Sequence, residues 1–94
     1  MVSFSDMEKV LKWSKDTGAK ITIIFAGIPY RLQIYKLFRA TDNQGRFVSW
    51  TKAFGTKQPH QVVDTFKIER IRISWPDGRE ETFDDFKKLL EKIA

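Results

Sequence analysis

RLQIYKLFRATDNQG, residues 31–45, is the stretch that decides the fold. If residues 31–41 form one strand, alternate side chains lie on opposite faces. The apolar set is Leu32, Ile34, Phe38 and Ala40, and the other set is Arg31, Gln33, Tyr35 and Arg39. The next four residues, Asp42–Gly45, predict a hairpin turn, since Asn and Gly tolerate the positive φ that such turns require. Residues 46–54 are then expected to return as the partner strand.

The N-terminal side of this hairpin predicts one helix and one strand. Ser5 and Glu8 have the spacing of a capping box, and Gly18 is a typical residue at a helix end. The run KITIIF, residues 20–25, is short and β-branched, which favours a strand.

The C-terminal side predicts a loop over residues 55–61, two strands and a helix. The first strand begins at Val62 or Thr65 and ends at Trp75, and its apolar residues change faces near Glu69 and Arg70. Such a switch indicates a bulge or a bend. A turn at residues 76–78 and a short strand over 79–82 follow. Thr82 then caps a helix whose apolar stripe is Phe83, Phe86, Leu89, Leu90 and Ile93.

The expected fold is therefore α+β: an N-terminal helix, about five short antiparallel strands and a C-terminal helix. The strands would form a curled sheet or a small SH3-like or Sm-like barrel. A chain of 94 residues predicts a single domain over residues 1–94. Hydrophobic residues make up 41% of it, which is enough to build a core without metal or disulfide crosslinks.

Composition also narrows the classes of function. The chain has no cysteine, which excludes disulfides, thiolate metal sites and cysteine nucleophiles. The first residues do not resemble a secretory signal, and the longest apolar run is too short to span a bilayer. We therefore expect a cytoplasmic protein that does not enter a membrane.

No set of residues predicts catalysis. The one histidine, His60, has no acid within three residues, and Asp84 and Asp85 are explained by the first turn of a helix, whose dipole favours carboxylates. The five glycines are isolated, so no phosphate-binding loop is formed, and no metal-ligand spacing occurs. We expect a binding protein without a cofactor, and not an enzyme.

The charge distribution points to the partner. The chain carries a net charge of +5, and residues 31–60 hold six basic residues against one acid. Aromatic residues are interleaved with them, as in proteins that hold phosphates with Lys and Arg and stack bases on rings. The expected nucleic-acid-binding residues are Arg31, Tyr35, Lys36, Arg39, Arg46, Trp50 and Lys52, with Arg70 and Arg72.

Other interpretations remain open. Aromatic residues in strands of a small domain often belong to the core, which would leave Tyr35 a better stacking ring than Trp50. The nucleic-acid hypothesis, with single-stranded DNA or RNA preferred, predicts a small accessory or regulatory protein. The same basic face would also suit a protein partner, as in a viral or plasmid-encoded inhibitor, a homo-oligomeric regulatory subunit or a self-assembling homodimer. A third hypothesis is a sensor with a small ligand in the barrel mouth.

Residues 66–71, FKIERI, resemble the Phe-x-Ile-x-Arg-Ile segment of WYL domains, which are Sm/SH3-like modules of bacterial regulators. The similarity covers residues 20–74. It implies a barrel that senses a nucleotide or nucleic acid through basic residues, with Arg70 as the best match. The return strand departs from the family pattern, because it reads Phe47-Val48-Ser49-Trp50 where Trp-Tyr-Leu is typical.

Overall fold

Six antiparallel strands form one open, curled sheet in the computed structural model, which describes residues 1–94. The elements are α1 (Phe4–Thr17), β1 (Lys20–Phe25), β2 (Tyr30–Tyr35), β3 (Leu37–Asp42), β4 (Phe47–Val48), α2 (Trp50–Phe54), α3 (Pro59–Thr65), β5 (Ile68–Ser74), β6 (Glu80–Phe83) and α4 (Phe86–Ile93). The strand order is β4-β3-β2-β1-β5-β6. The predicted α+β class, with a helix at each end, is confirmed. The sheet does not close into a barrel, because β4 and β6 remain at its two edges.

The core lies on one face of the sheet, against all four helices. Strand β1 is central and contributes Ile21, Ile23 and Phe25 to it. Each helix adds apolar side chains to the same cluster: Met7 and Val10 from α1, Phe54 from α2, Val62 and Val63 from α3, and Phe86 and Leu89 from α4. The other face of the sheet therefore has no helix packed on it.

Both terminal helices begin at residues other than those predicted. Helix α1 is capped by Ser3, whose hydroxyl accepts from the Asp6 backbone N–H at 3.0 Å while the Asp6 carboxylate accepts from the Ser3 N–H at 3.0 Å. Ser5 and Glu8 lie inside the helix. Its predicted end at Gly18 is confirmed, with φ at +74°. Helix α4 is capped by Asp85 and not by Thr82, because residues 80–83 pair with β5 as a strand.

The predicted strand over residues 31–41 is wrong in one respect: it is two strands. β2 and β3 form a hairpin whose turn is the single residue Lys36, at a φ of +65°. Residues Ile34 and Phe38 pair directly across this hairpin. Because they would also share a face in one continuous strand, the alternation is the same in both arrangements.

The predicted return strand over residues 46–54 is also wrong beyond Val48. Ser49 ends it by capping helix α2, with its hydroxyl accepting from the Lys52 N–H at 3.4 Å. The helix turns Phe54 into the core, where its ring packs on those of Phe25 and Phe66. Residues expected to form a loop and the start of the next strand form α3, which begins at Pro59.

The predicted change of faces near Glu69 and Arg70 is confirmed. Ile24 of β1 pairs with Arg70, but the next residue, Phe25, pairs with Ile68. Glu69 is therefore an extra residue in β5, as in a β-bulge. This bulge moves Arg70 and Arg72 to the face opposite the core, while Ile71 and Ile73 stay in it.

Candidate functional site

The sheet face opposite the helices is the candidate site and is called the open face below. The strand registers arrange its side chains in three rows across the sheet. The first row is Leu37, Tyr35, Lys20, Ser74 and Glu80; the second is Arg39, Gln33, Thr22, Arg72 and Thr82; the third is Phe47, Thr41, Arg31, Ile24 and Arg70. Strand alternation and the order of the strands bring these residues together from all six strands.

The open face holds an excess of positive charge, and its arginines form no ion pair with a carboxylate. Four of the six arginines of the chain lie on it: Arg31, Arg39, Arg70 and Arg72. None of the four forms an ion pair, whereas the other two arginines, in turns, are paired with aspartates. The only acid in the three rows is Glu80. Every charged residue in the second and third rows is thus an arginine.

The arginines stand at regular spacings because the strands set them. Arg31 and Arg70 flank Ile24 from the two neighbouring strands, so their backbones are about 10 Å apart. Arg70 and Arg72 are two residues apart on β5, or roughly 7 Å. Ile24 is only 6% exposed although no helix covers it. Thr22 and Thr41 on the same face are buried as well, at 7% and 2% exposed.

Exposed apolar groups lie at the β3 side of the same face. Tyr35, Leu37 and Phe47 are 37%, 48% and 55% exposed, and they are three of the five large exposed hydrophobic residues of the chain. The guanidinium of Arg39 lies 3.8 Å from the centre of the Phe47 ring. The open face therefore combines free cations with rings that solvent can reach.

The structure places five of the nine predicted site residues on the open face: Arg31, Tyr35, Arg39, Arg70 and Arg72. Lys36 lies beside them in the β2–β3 turn, with its ammonium 5.4 Å from the Tyr35 ring.

The other three predicted residues lie elsewhere. Arg46 is in the β3–β4 turn, where its Nε donates to the Asp42 carboxylate at 3.0 Å. Trp50 and Lys52 belong to α2 and not to the strand that was predicted over residues 46–54. The Trp50 Nε1–H donates to the Lys57 carbonyl at 2.8 Å, and its ring packs on Phe54. Trp50 is a structural residue in this position.

Lys20, Leu37 and Phe47 belong to the open face but were not predicted. For Lys20 the signal was available, because it alternates with Ile21 and Ile23, which are core residues. For Phe47 no signal was available, since the prediction of a long return strand placed the functional face on Trp50. Leu37 was hidden by the unrecognised turn at Lys36.

The structure shows neither a cluster of metal ligands nor a helix that could span a membrane. The structure has no cluster of three or more His, Asp or Glu side chains arranged to hold a metal ion. No helix combines the length and the apolar character needed to cross a membrane.

Comparison of the chain with models of known protein families, with curated proteins and with solved structures finds no match.

Proposed function

We propose that the open face binds single-stranded nucleic acid and that the protein is a small cytoplasmic accessory or regulatory factor. One observation carries this proposal: four arginines without carboxylate partners share an uncovered sheet face with exposed aromatic rings. Phosphates are held by such cations, and sheet faces that add aromatic rings suit single strands. Arg70, the best match to the WYL-like segment, is one of the four.

The first test measures how affinity depends on salt. Fluorescence anisotropy of a labelled single-stranded 12-mer should show binding that weakens steeply as salt rises, because phosphate contacts release counterions. Each contact to a single strand contributes about −0.7 to the slope of log K against log salt, so four arginines predict a slope of about −3. An Arg31→Gln, Arg72→Gln variant should lower its magnitude by about 1.4.

The matched control is a Lys12→Gln, Lys15→Gln variant. It removes the same charge from α1, where both lysines are exposed and no open-face residue is altered. The control should keep the slope of the unmodified protein. Equal losses in the two variants would show a non-specific charge effect and contradict the proposal, as would affinity that does not change with salt.

One observation favours a second candidate function. Tyr35, Leu37 and Phe47 expose apolar surface next to Arg39, and such a combination also suits an acidic protein partner or a second copy of this chain. Sedimentation velocity over a hundredfold dilution tests self-association. A dimer that a Leu37→Asp variant abolishes would support this function, and a monomer at all concentrations would remove the homodimer.

A further inference from the structure

A shallow cavity of about 300 Å³ lies at one end of the open face, beside the first row. Its lining consists of Gly18, Lys20, Tyr35, Ser74, Trp75 and Pro76. Three of these residues belong to the first row, and the other three come from the end of α1 and from the turn after β5. The cavity is thus continuous with the arginine rows.

The floor of this cavity is held by close packing. A Cβ atom on Gly18 would come within 3.1 Å of the Pro76 Cγ, and the positive φ of Gly18 also disfavours a side chain there. Glycine at this position therefore favours the close approach of the α1 terminus and the β5–β6 turn. Trp75 is held as well, since its ring meets the edge of Trp13 with the ring centres 6.2 Å apart.

The walls combine a ring with polar groups. The Tyr35 side chain stands next to Lys20, because their neighbours Ile34 and Ile21 are paired. Across β1, Lys20 is paired with Ser74, whose hydroxyl lies 3.4 Å from a carboxylate oxygen of Glu80. The cavity therefore offers an accessible ring, an ammonium group and a hydroxyl within the width of three strands.

Charge separates this end of the open face from the rest. Lys20 and Glu80 balance each other in the first row and Lys36 adds one positive charge in the adjacent turn, whereas the second and third rows hold four arginines and no acid. Phosphates are therefore attracted to the arginine rows more than to the cavity. A neutral, planar group carried by the same ligand suits the cavity, where Tyr35 provides the stacking surface.

We propose that this cavity takes one unpaired base of a strand whose phosphates lie along the arginine rows, so that the ligand is single-stranded by necessity. This inference rests on the proposed function of the open face. The base stacks on Tyr35, and Lys20 reaches the phosphate next to it. A base in a duplex is stacked and paired, so it cannot enter without leaving the helix.

The test compares three probes of equal length at one salt concentration: a single-stranded 12-mer, the same backbone without bases, and a 12-base-pair duplex. Stacking one base on an aromatic ring changes the dissociation constant by roughly 5- to 150-fold. The strand with bases should bind more tightly than the abasic strand by a factor in this range. A Tyr35→Ala variant should lose this difference while its affinity for the abasic strand is unchanged, and Tyr35→Phe should keep it.

The control is Phe47→Ala, which removes the other exposed ring of the open face, and melting temperatures check that each variant is folded. Equal affinity for the base-containing and abasic strands would overturn the base site but leave the phosphate-binding function intact. A larger loss from Phe47→Ala than from Tyr35→Ala, or duplex binding as tight as that of the single strand, would also overturn it. No binding to any probe would contradict the proposed function itself.

Discussion

At the scale of single residues, an aspartate paired with an arginine stabilises each of two hairpin turns. Asp42 accepts from the backbone N–H groups of Gln44 and Arg46 and from the Arg46 side chain, all at 2.8–3.0 Å. Asp77 makes the equivalent backbone and side-chain bonds with Arg79. Each turn therefore holds an aspartate in its charged form. Each aspartate also forms an ion pair with the arginine of its turn, so these two arginines are not among the unpaired cations.

These bonds predict how stability depends on pH. The hydrogen bond from the Arg46 backbone N–H, with others from Gln44 and the Arg46 side chain, lowers the pKa of Asp42. A carboxyl whose pKa is lower in the folded state stabilises the fold above its unfolded value of about 3.9, and this contribution is lost as pH falls through the folded pKa. The melting temperature should therefore fall below pH 4, and less steeply in an Asp42→Asn variant, which keeps an acceptor but does not titrate.

The comparison is a series of thermal melts from pH 2 to pH 7, followed by circular dichroism. Asp16→Asn is the control, because the Asp16 carboxylate bonds only to the Lys12 side chain and not to a backbone N–H. Asp42→Asn should be less stable than the unmodified protein at pH 7 and close to it at pH 2. If the melting temperatures of Asp42→Asn and of the unmodified protein changed in parallel from pH 2 to pH 7, the role given to Asp42 would be contradicted.

At the scale of elements, Ser14 joins α1 to the sheet. Its side chain is 1% exposed, and its hydroxyl lies 2.6 Å from the Ala19 carbonyl oxygen and 3.3 Å from that of Ile34. Ser14→Ala leaves buried carbonyl groups without this donor, which costs about 1–3 kcal/mol. Urea unfolding of the variant should show a lower midpoint with an unchanged slope. Ser5→Ala, on an exposed part of the same helix, serves as the control, and an equal loss in both variants would refute this role.

The elements that could be predicted are those that local sequence determines. Strand β1 is a β-branched run with the predicted bounds, and the bulge at Glu69 followed from the change of faces in β5. The hairpin at Lys36 could not be predicted, because a one-residue turn preserves the alternation and lysine is not a usual residue at positive φ. Helix α2 was missed because the placement of Phe54 depends on Phe25 and Phe66, which are distant in the sequence.

The same reasoning applies to the candidate site. Arg31, Tyr35 and Arg39 were placed on one face by alternation that does not depend on the turn between them. To predict that Arg70 and Arg72 lie on the same face, the order of the strands was also needed, since β1 lies between β2 and β5. Trp50 was assigned to the wrong surface because five helical residues replaced the expected strand.

At the scale of the whole molecule, charge is distributed unevenly between two surfaces. The helix side carries exposed i, i+4 ion pairs, such as Lys12 with Asp16 and Lys88 with Asp84. The open face carries arginines without such pairs. Two unit charges 10 Å apart in water repel each other by about 0.4 kcal/mol, so four arginines on one face lower the stability of the fold by a small amount. Such repulsion is expected of a surface that, as we propose, binds an anionic ligand.

The last prediction follows from this repulsion. In 10 mM salt, Arg31→Gln, Arg72→Gln should melt at the same temperature as the unmodified protein or a few degrees higher, because it removes like charges. At about 0.3 M salt the Debye length is well below 10 Å, so the difference between the two proteins should shrink. Differential scanning calorimetry of both proteins measures this, with Lys9→Gln, Lys15→Gln as the charge-matched control, because these two exposed lysines form no ion pair. If the arginine variant melted several degrees lower at both salt concentrations, the Arg31 and Arg72 side chains would contribute to the stability of the sheet. A loss of binding in this variant could then not be assigned to ligand contacts.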